Sequence, residues 1–255
     1  HTRLPPVTGV QTCALPIFPF VPFKFGGADK TSRFYIRFVI DGVEYVQLYD
    51  NIYGVYTVNG AYAVNSAADL KALANLVNAG TSFEGVEVVL TADIDLKNEN
   101  WTPIGSITNE RGFCGNFDGR NHTIKNLTIT NPTLDAENYA YAGLFGITEN
   151  NTIKNLTIEN VNISTEGHIV AAAVAYPYYT NLENITVKGN VNIKGGHYTA
   201  GVLAYTRRCV DATNIAIAAN AGSVIEGNQT VGGVISDIQM NGGLTANYSN
   251  FSATG

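Results

Sequence analysis

The chain has 255 residues and a formal net charge of −6, and only 14% of its residues are charged. A nucleic-acid surface needs a basic stripe, so this balance argues against a nucleic-acid partner. No apolar run approaches the roughly 20 residues of a membrane-spanning helix, so no membrane span is expected.

Taken in order, the first stretch does not read as protein. Val7–Ile17 (VTGVQTCALPI) resembles the conceptual translation of a short-read sequencing adapter, and His1-Thr2-Arg3 fits the other end of the same oligonucleotide. Residues 1–17 are therefore read as an artefact, expected to be disordered and to make no stable contact with the fold. The natural chain is expected to begin mid-gene and to be truncated at its C-terminus. Residues 18–60 read as a linker or partial β-hairpin module, because Arg33–Tyr49 alternates apolar and polar residues around Asp41-Gly42, a tight-turn dipeptide.

A helix is expected over residues 66–79. Ser66 and Asp69 have capping-box spacing, Leu70, Leu73, Leu76 and Val77 share one face, and Gly80 can close the C-terminus. Such a helix suits a cap over the first coil of a solenoid, which otherwise exposes an apolar cross-section and unpaired strand edges. Glu87–Leu96 (EVVLTADIDL) then enters as the first coil strand, with Val89, Ile94 and Leu96 inward. Trp101–Gly105 and Gly112–Gly119 follow as Gly-rich corners.

Beyond them the chain repeats. Ile124–Ile129 (IKNLTI), Ile153–Ile163 (IKNLTIENVNI) and Leu182–Ile193 (LENITVKGNVNI) align on Asn126, Asn155 and Asn184, a step of 29 residues each time. A second column, AGLFG at Ala142–Gly146, AAAVA at Ala171–Ala175, AGVLA at Ala200–Ala204 and GGVIS at Gly232–Ser236, holds the same step before loosening. Leu156, Ile158, Val161 and Ile163 are spaced by 2, 3 and 2 residues, so strand alternation is broken once by a corner at Glu159-Asn160. A similar corner falls at Lys154-Asn155. Asn tolerates the left-handed backbone that a sharp bend needs. The expected fold is all-β: a right-handed parallel β-helix over residues 61–255, about 29 residues per coil, with one N-terminal capping α-helix. Asn126, Asn155 and Asn184 are expected to form one structural ladder. Lys125 and Lys154 would stack as like charges with Glu183 next. Cys114 and Cys209 lie 95 residues apart, or roughly 15 Å at coil spacing, too far for a disulfide.

The ordered blocks SAADLKALANLVNAG, VVLTADIDL, WTPIG, FCGNFDGRNHTIKNLTI and AGLFG resemble the GLUG-motif repeat proteins, clearly from Ala61 to about Ile193. The resemblance implies a large bacterial surface or secreted protein, hence an extracellular or cell-surface location. GLUG repeats also occur beside catalytic domains in some immunoglobulin-A-cleaving metallopeptidases, but no catalytic residues belong to the motif. AAAVA replaces both glycines of AGLFG, so that corner is expected to be altered.

Catalytic carboxylates in a solenoid should recur on neighbouring coils, yet one step from Asp118 lies Ile147 and one step from Glu159 lies Lys188. Asp93 and Asp95 read as an outer face opposite Ile94 and Leu96. A His-Glu-x-x-His helix is absent from the sequence. Catalytic, metal and cofactor roles are therefore not expected. The Asn-x-Thr sequons at Asn126, Asn155 and Asn184 arise wherever an Asn corner precedes a strand, and carry no separate meaning. What does recur is aromatic: Tyr139, His168 and His197 in one column, Tyr176 and Tyr205 in another, expected as a binding face. Two functions of different class fit: a non-catalytic stalk or adhesive surface binding glycans or host surface proteins, or a substrate-docking flank of a larger extracellular hydrolase.

Overall fold

The computed structural model describes residues 32–40, 43–52, 55–58, 60–105, 112–130, 132, 134, 139–207, 211–239, 247–249 and 252–254, with the backbone alone before residue 60. The adapter-like segment 1–17, the turn residues Asp41-Gly42 and Cys209 lie outside the described residues. Contacts divide the chain into His1–Tyr62 and Ala63–Gly255. In the first unit Ser32–Ile40 pairs antiparallel with Val43–Ile52, Ile40 opposite Val43, and Val55–Val58 adds to Val43–Ile52.

The second unit is a parallel β-solenoid of about five turns, with one helix among the described residues. Helix α1 spans Ala67–Asn78, and Ser66 caps it by accepting from the Asp69 amide. The Asp69 carboxylate accepts from the Asn65 amide at 3.2 Å and the Ser66 hydroxyl at 2.8 Å, so it engages the residue before the cap as well. At the other end the Thr81 amide reaches Leu76 O and the Gly80 amide reaches Val77 O, with Gly80 at φ +103°, which is a Schellman stop. The buried face is Leu70, Leu73, Ala74 and Val77, while Leu76 is only half-buried. Asn78 fastens the helix to the first coil, donating to Pro103 O and accepting from the Gly105 amide, both at 3.0 Å.

Each complete coil has one long bent strand and two short ones. The long strands Thr152–Ser164, Asn181–Lys194 and Asp211–Ala219 lie side by side in parallel, with Asn116–Asp118 and Thr123–Thr130 ahead of them. Two further sheets run alongside: Tyr141–Ala142, Ile169–Ala171, Tyr198–Ala200 and Thr230–Gly232 in one, and Phe145–Glu149, Val174–Tyr178, Leu203–Arg207 and Ile235–Gln239 in the other. Leu156, Ile158, Val161 and Ile163 are buried while Thr157 is half-exposed, so alternation and corner fall where the spacing places them. The altered AAAVA corner keeps strands on both sides, and Ala171, Ala172, Ala173 and Ala175 are all buried.

One expectation is corrected. Asn155 and Asn184 do share a corner, but Asn126 does not join them. Thr123–Thr130 pairs with the second half of Thr152–Ser164, placing Ile124 opposite Ile158, Lys125 opposite Glu159 and Leu127 opposite Val161. Asn126 therefore lies beneath Asn160, 34 residues on, not beneath Asn155. The cause is a local duplication inside the long strand: Ile153-x-Asn155-Leu156-x-Ile158-x-Asn160-Val161-x-Ile163 offers IKNLTI two equivalent landing sites. Phe117 and Asp118 occupy the first, opposite Ile153 and Lys154. Charge agrees with that choice. Instead of Lys125 stacking on Lys154, the columns run Asp95–Lys125–Glu159–Lys188 and Asp118–Lys154–Glu183, alternating in sign. Opposite charges directly across a strand pair stabilise and like charges destabilise.

The corners then form two ladders. At the first, Asn155 donates to Asp118 Oδ1 (3.0 Å), Asn184 to Asn155 Oδ1 (2.9 Å) and Asn214 to Asn184 Oδ1 (2.9 Å). At the second, Asn126 donates to Asp95 Oδ1 (2.8 Å), Asn160 to Asn126 Oδ1 (3.4 Å), and the Asn190 amide to Asn160 Oδ1 (3.0 Å). Asn126, Asn155, Asn160, Asn184 and Asn214 all have φ between 54° and 62°, the left-handed bend a ladder must stabilise. Each ladder ends on an aspartate, an acceptor that suits amides all donating in one direction.

Candidate functional site

Outward side chains on the long face and on the short sheets do different things. On the long face the carboxylates are already engaged. Asp93 is held below the usual carboxylate range by the Thr123 amide and then by His122, whose Nδ1 lies 3.1 Å away. Asp95 is lowered by the Asn126 amide and the Lys97 backbone amide. For Asp118, burial pushes upward most strongly, but the Arg120 amide, Asn155 and Lys154 together outweigh it and the net shift is down. All three are thus ionised hydrogen-bond acceptors, an arrangement unlike the raised carboxyl of a general acid. Among the described residues no three His, Cys, Asp or Glu gather in a way that could hold a metal ion. A concavity of about 370 Å³ also lies on this face, along Asn155, Asn184, Asn214, Thr157 and Thr186. Its amides are spent on one another, so size alone does not make it a site.

The short sheets carry the aromatic residues. Tyr141, Ile169 and Tyr198 form a column on one sheet, paired directly in register. Tyr176 and Tyr205 stack on the other, with ring centroids 5.6 Å apart and planes at 19°. Across the angle between the sheets, Tyr141 meets Tyr176 edge-on at 5.4 Å and Tyr198 meets Tyr205 at 4.6 Å. Beneath them Ile169, Ala171, Ala175, Ala200 and Ala204 are buried, and Tyr139, Tyr141, Tyr176, Tyr198 and Tyr205 pack half-buried on that floor. Alanine side chains leave room for the rings to pack against this floor. At the margin His168 and His197 stack at 4.0 Å with planes 6° apart, and Tyr139 meets His168 edge-on at 4.4 Å.

The residues Tyr139, His168, His197, Tyr176 and Tyr205 therefore sit on one flank. Stacking along the axis turns the faces of His168 on His197 and of Tyr176 on Tyr205 toward each other. The ladder consequently offers solvent ring edges rather than ring faces, and His168 Nδ1 is buried. Burial, and then Tyr198, push the Tyr205 phenol upward, so it remains a neutral donor and acceptor. Arg207 borders the patch and donates from Nη1 to the Tyr176 hydroxyl at 3.3 Å.

The 29-residue step missed Tyr141, Tyr198 and Arg207. Tyr141 pairs with Ile169 after a step of 28, so no aromatic residue recurs at its expected position. Tyr198 had a signal, adjacency to His197, but alternation alone does not show that it faces Tyr205. Arg207 follows Tyr205 by two on the same strand and thus faces the same side.

Fold and flank together define a parallel β-solenoid with an aromatic side. No protein-family model matches the chain. It is 36% identical over 107 residues to the halomucin of Haloquadratum walsbyi, a match covering 36% of this chain and 1% of that protein. A crystal structure of a candidate immunoglobulin A1 protease from Bacteroides ovatus superposes with a TM-score of 0.40 and 15% identity, over 76% of this chain and 63% of the other. The chain thus spans a small fraction of the one and under two thirds of the other.

Proposed function

We propose that this chain is a non-catalytic β-solenoid segment of a cell-surface or secreted bacterial protein of the GLUG-repeat kind, and that its tyrosine flank binds glycans. The observation that carries the reading is the continuous half-buried patch of Tyr139, Tyr141, Tyr176, Tyr198 and Tyr205 on an apolar floor. Tyrosines so held are ordered before any ligand arrives, which lowers the entropy cost of contact. Their hydroxyls and edges suit the mixed polar and apolar surface of a sugar. The ionised, hydrogen-bonded state of Asp93, Asp95 and Asp118 on the long face supports binding over cleavage. The ordered GLUG-like blocks and the halomucin stretch support a surface or extracellular setting. Contacts along a shallow flank are individually weak, so repetition would supply avidity.

The test is a glycan array probed with the whole chain, beside a turnover assay on polysaccharides. Retention of a defined glycan set, lost in a Tyr176→Ala/Tyr205→Ala variant, is expected. Release of oligosaccharide that tracks the protein through further purification would overturn the non-enzyme reading.

A further inference from the structure

Arg207 is the group on the flank that the tyrosines do not explain. It lies at the end of Leu203–Arg207, opposite Tyr178 on one side and Gln239 on the other. Its one hydrogen bond among the described residues, from Nη1 to the Tyr176 hydroxyl, is 3.3 Å long, and its buried Nε has no partner among them. No carboxylate among the described residues pairs with it, although Lys154, Lys188 and Lys194 each find one. A guanidinium has five donors in a planar fork that matches a carboxylate, and a buried donor left empty costs free energy. The nearest acid in the register, Asp237, lies opposite Tyr205, and its charge is felt by the Tyr205 hydroxyl. The patch therefore has a cation at one edge, an acceptor at the other and tyrosines between.

We infer that this flank is built for a carboxylate-bearing sugar, a uronic or sialic acid residue, with Arg207 taking the carboxylate, Asp237 accepting from ring hydroxyls, and Tyr176 and Tyr205 lying along the ring. The inference rests on the glycan reading above and narrows it to acidic sugars. Arg207 cannot satisfy its fork with Tyr176 alone, since a phenol offers one oxygen and a carboxylate two. A neutral sugar offers the guanidinium only uncharged hydroxyl and ring oxygens, which match the fork less well than a carboxylate. Asp237 keeps the site from being a general anion trap: an inorganic anion gains Arg207 and meets Asp237 repulsion without hydroxyls to compensate.

The experiment is calorimetric titration of the whole chain with trigalacturonate and with sialyllactose, against maltotriose and lactose as neutral partners, at low and moderate salt. One charged hydrogen-bonded contact corresponds to about a tenfold or greater preference for the acidic member of each pair. Arg207→Gln should abolish that preference, bringing the acidic and neutral members of each pair to equal affinity. Arg207→Lys should recover part of it, because an ammonium supplies charge but not the fork. Whichever acid carries the preference identifies the source, uronic or sialic. Equal binding of acidic and neutral sugars, or a preference that survives Arg207→Gln, overturns this inference while the glycan reading stands. Absence of binding to every sugar, with circular dichroism intact, overturns both.

Discussion

The long bent face and the two short sheets are built from the same chain by opposite means. On the long face the corner and charged groups bond within the fold: asparagines bond asparagines, lysines meet acids, and Asp95 and Asp118 terminate the ladders. On the short sheets the outward groups are rings over an alanine floor, with Arg207 incompletely bonded. A parallel solenoid must specify which coil lies on which, because a one-residue slip turns its core outward. Here the long face does that work, which leaves the short sheets able to carry side chains that stability does not require.

The comparison can be broken most sharply at the core of the long face. Leu156 is 1% exposed beside the Asn155 corner. Leu156→Ala should cost on the order of 2–5 kcal/mol in chemical denaturation. Tyr176→Ala, on the opposite flank and half-exposed, should cost distinctly less. Equal losses would mean that both faces are structural.

Next come the ladders. Asn184 both donates to Asn155 and accepts from Asn214 at φ 55°. Asn184→Ala loses both ladder bonds and a long contact to Glu183 Oε1, and places a less tolerant residue in the left-handed region, for a loss of about 1–3 kcal/mol. Asn184→Gly restores the backbone freedom but not the bonds, so it should fall between wild type and Ala. A Gly variant as unstable as Ala would assign the whole effect to hydrogen bonding.

The register itself is tested by a smaller effect with a definite sign. Lys125 faces Asp95 and Glu159. Lys125→Glu should destabilise by about 0.2–1 kcal/mol for each facing carboxylate, and less in high salt. Had Lys125 faced Lys154, the same change would relieve a repulsion and stabilise.

That sign matters because the register is where sequence reasoning went wrong. The solenoid, its corners, its inward residues and its capping helix were all legible, since alternation broken by Asn is a local pattern. The step into the first complete coil was not, although the next coil keeps a step of 29 to 30 residues. Ile153–Ile163 contains its own motif twice, and identity to IKNLTI cannot say which half Ile124–Ile129 lies against. Only the opposing charges and the extra residues at Asp118–His122, a corner longer than its counterpart, decide it. The flank was half legible for a related reason: Tyr176, Tyr205, His168 and His197 recur at the step, whereas Tyr141 pairs one residue short of it, and Arg207, a full step from Tyr178, has no like residue in its column to mark it.

Acid provides a weaker probe of the same ladders. Asp118 is depressed in the fold, so its contribution is present above its unfolded value, about 3.9, and is lost as pH falls through the lower folded value. Stability should therefore decline on acidification below about pH 4, and Asp118→Asn should flatten part of that decline. An unchanged profile in Asp118→Asn would remove Asp118 from the ladder's energetics.

The central claim is a division of labour, with register on the long face and recognition on the short sheets. Its most direct test is nuclear magnetic resonance mapping of an isotope-labelled chain titrated with trigalacturonate, following backbone amides, tyrosine rings and the Arg207 guanidinium together. The account predicts shifts concentrated at Tyr141, Tyr176, Tyr198, Tyr205 and Arg207, with Asn155, Asn184 and Asn214 unmoved. Shifts centred on the groove along Asn155, Asn184 and Asn214, with the tyrosine flank silent, would contradict it.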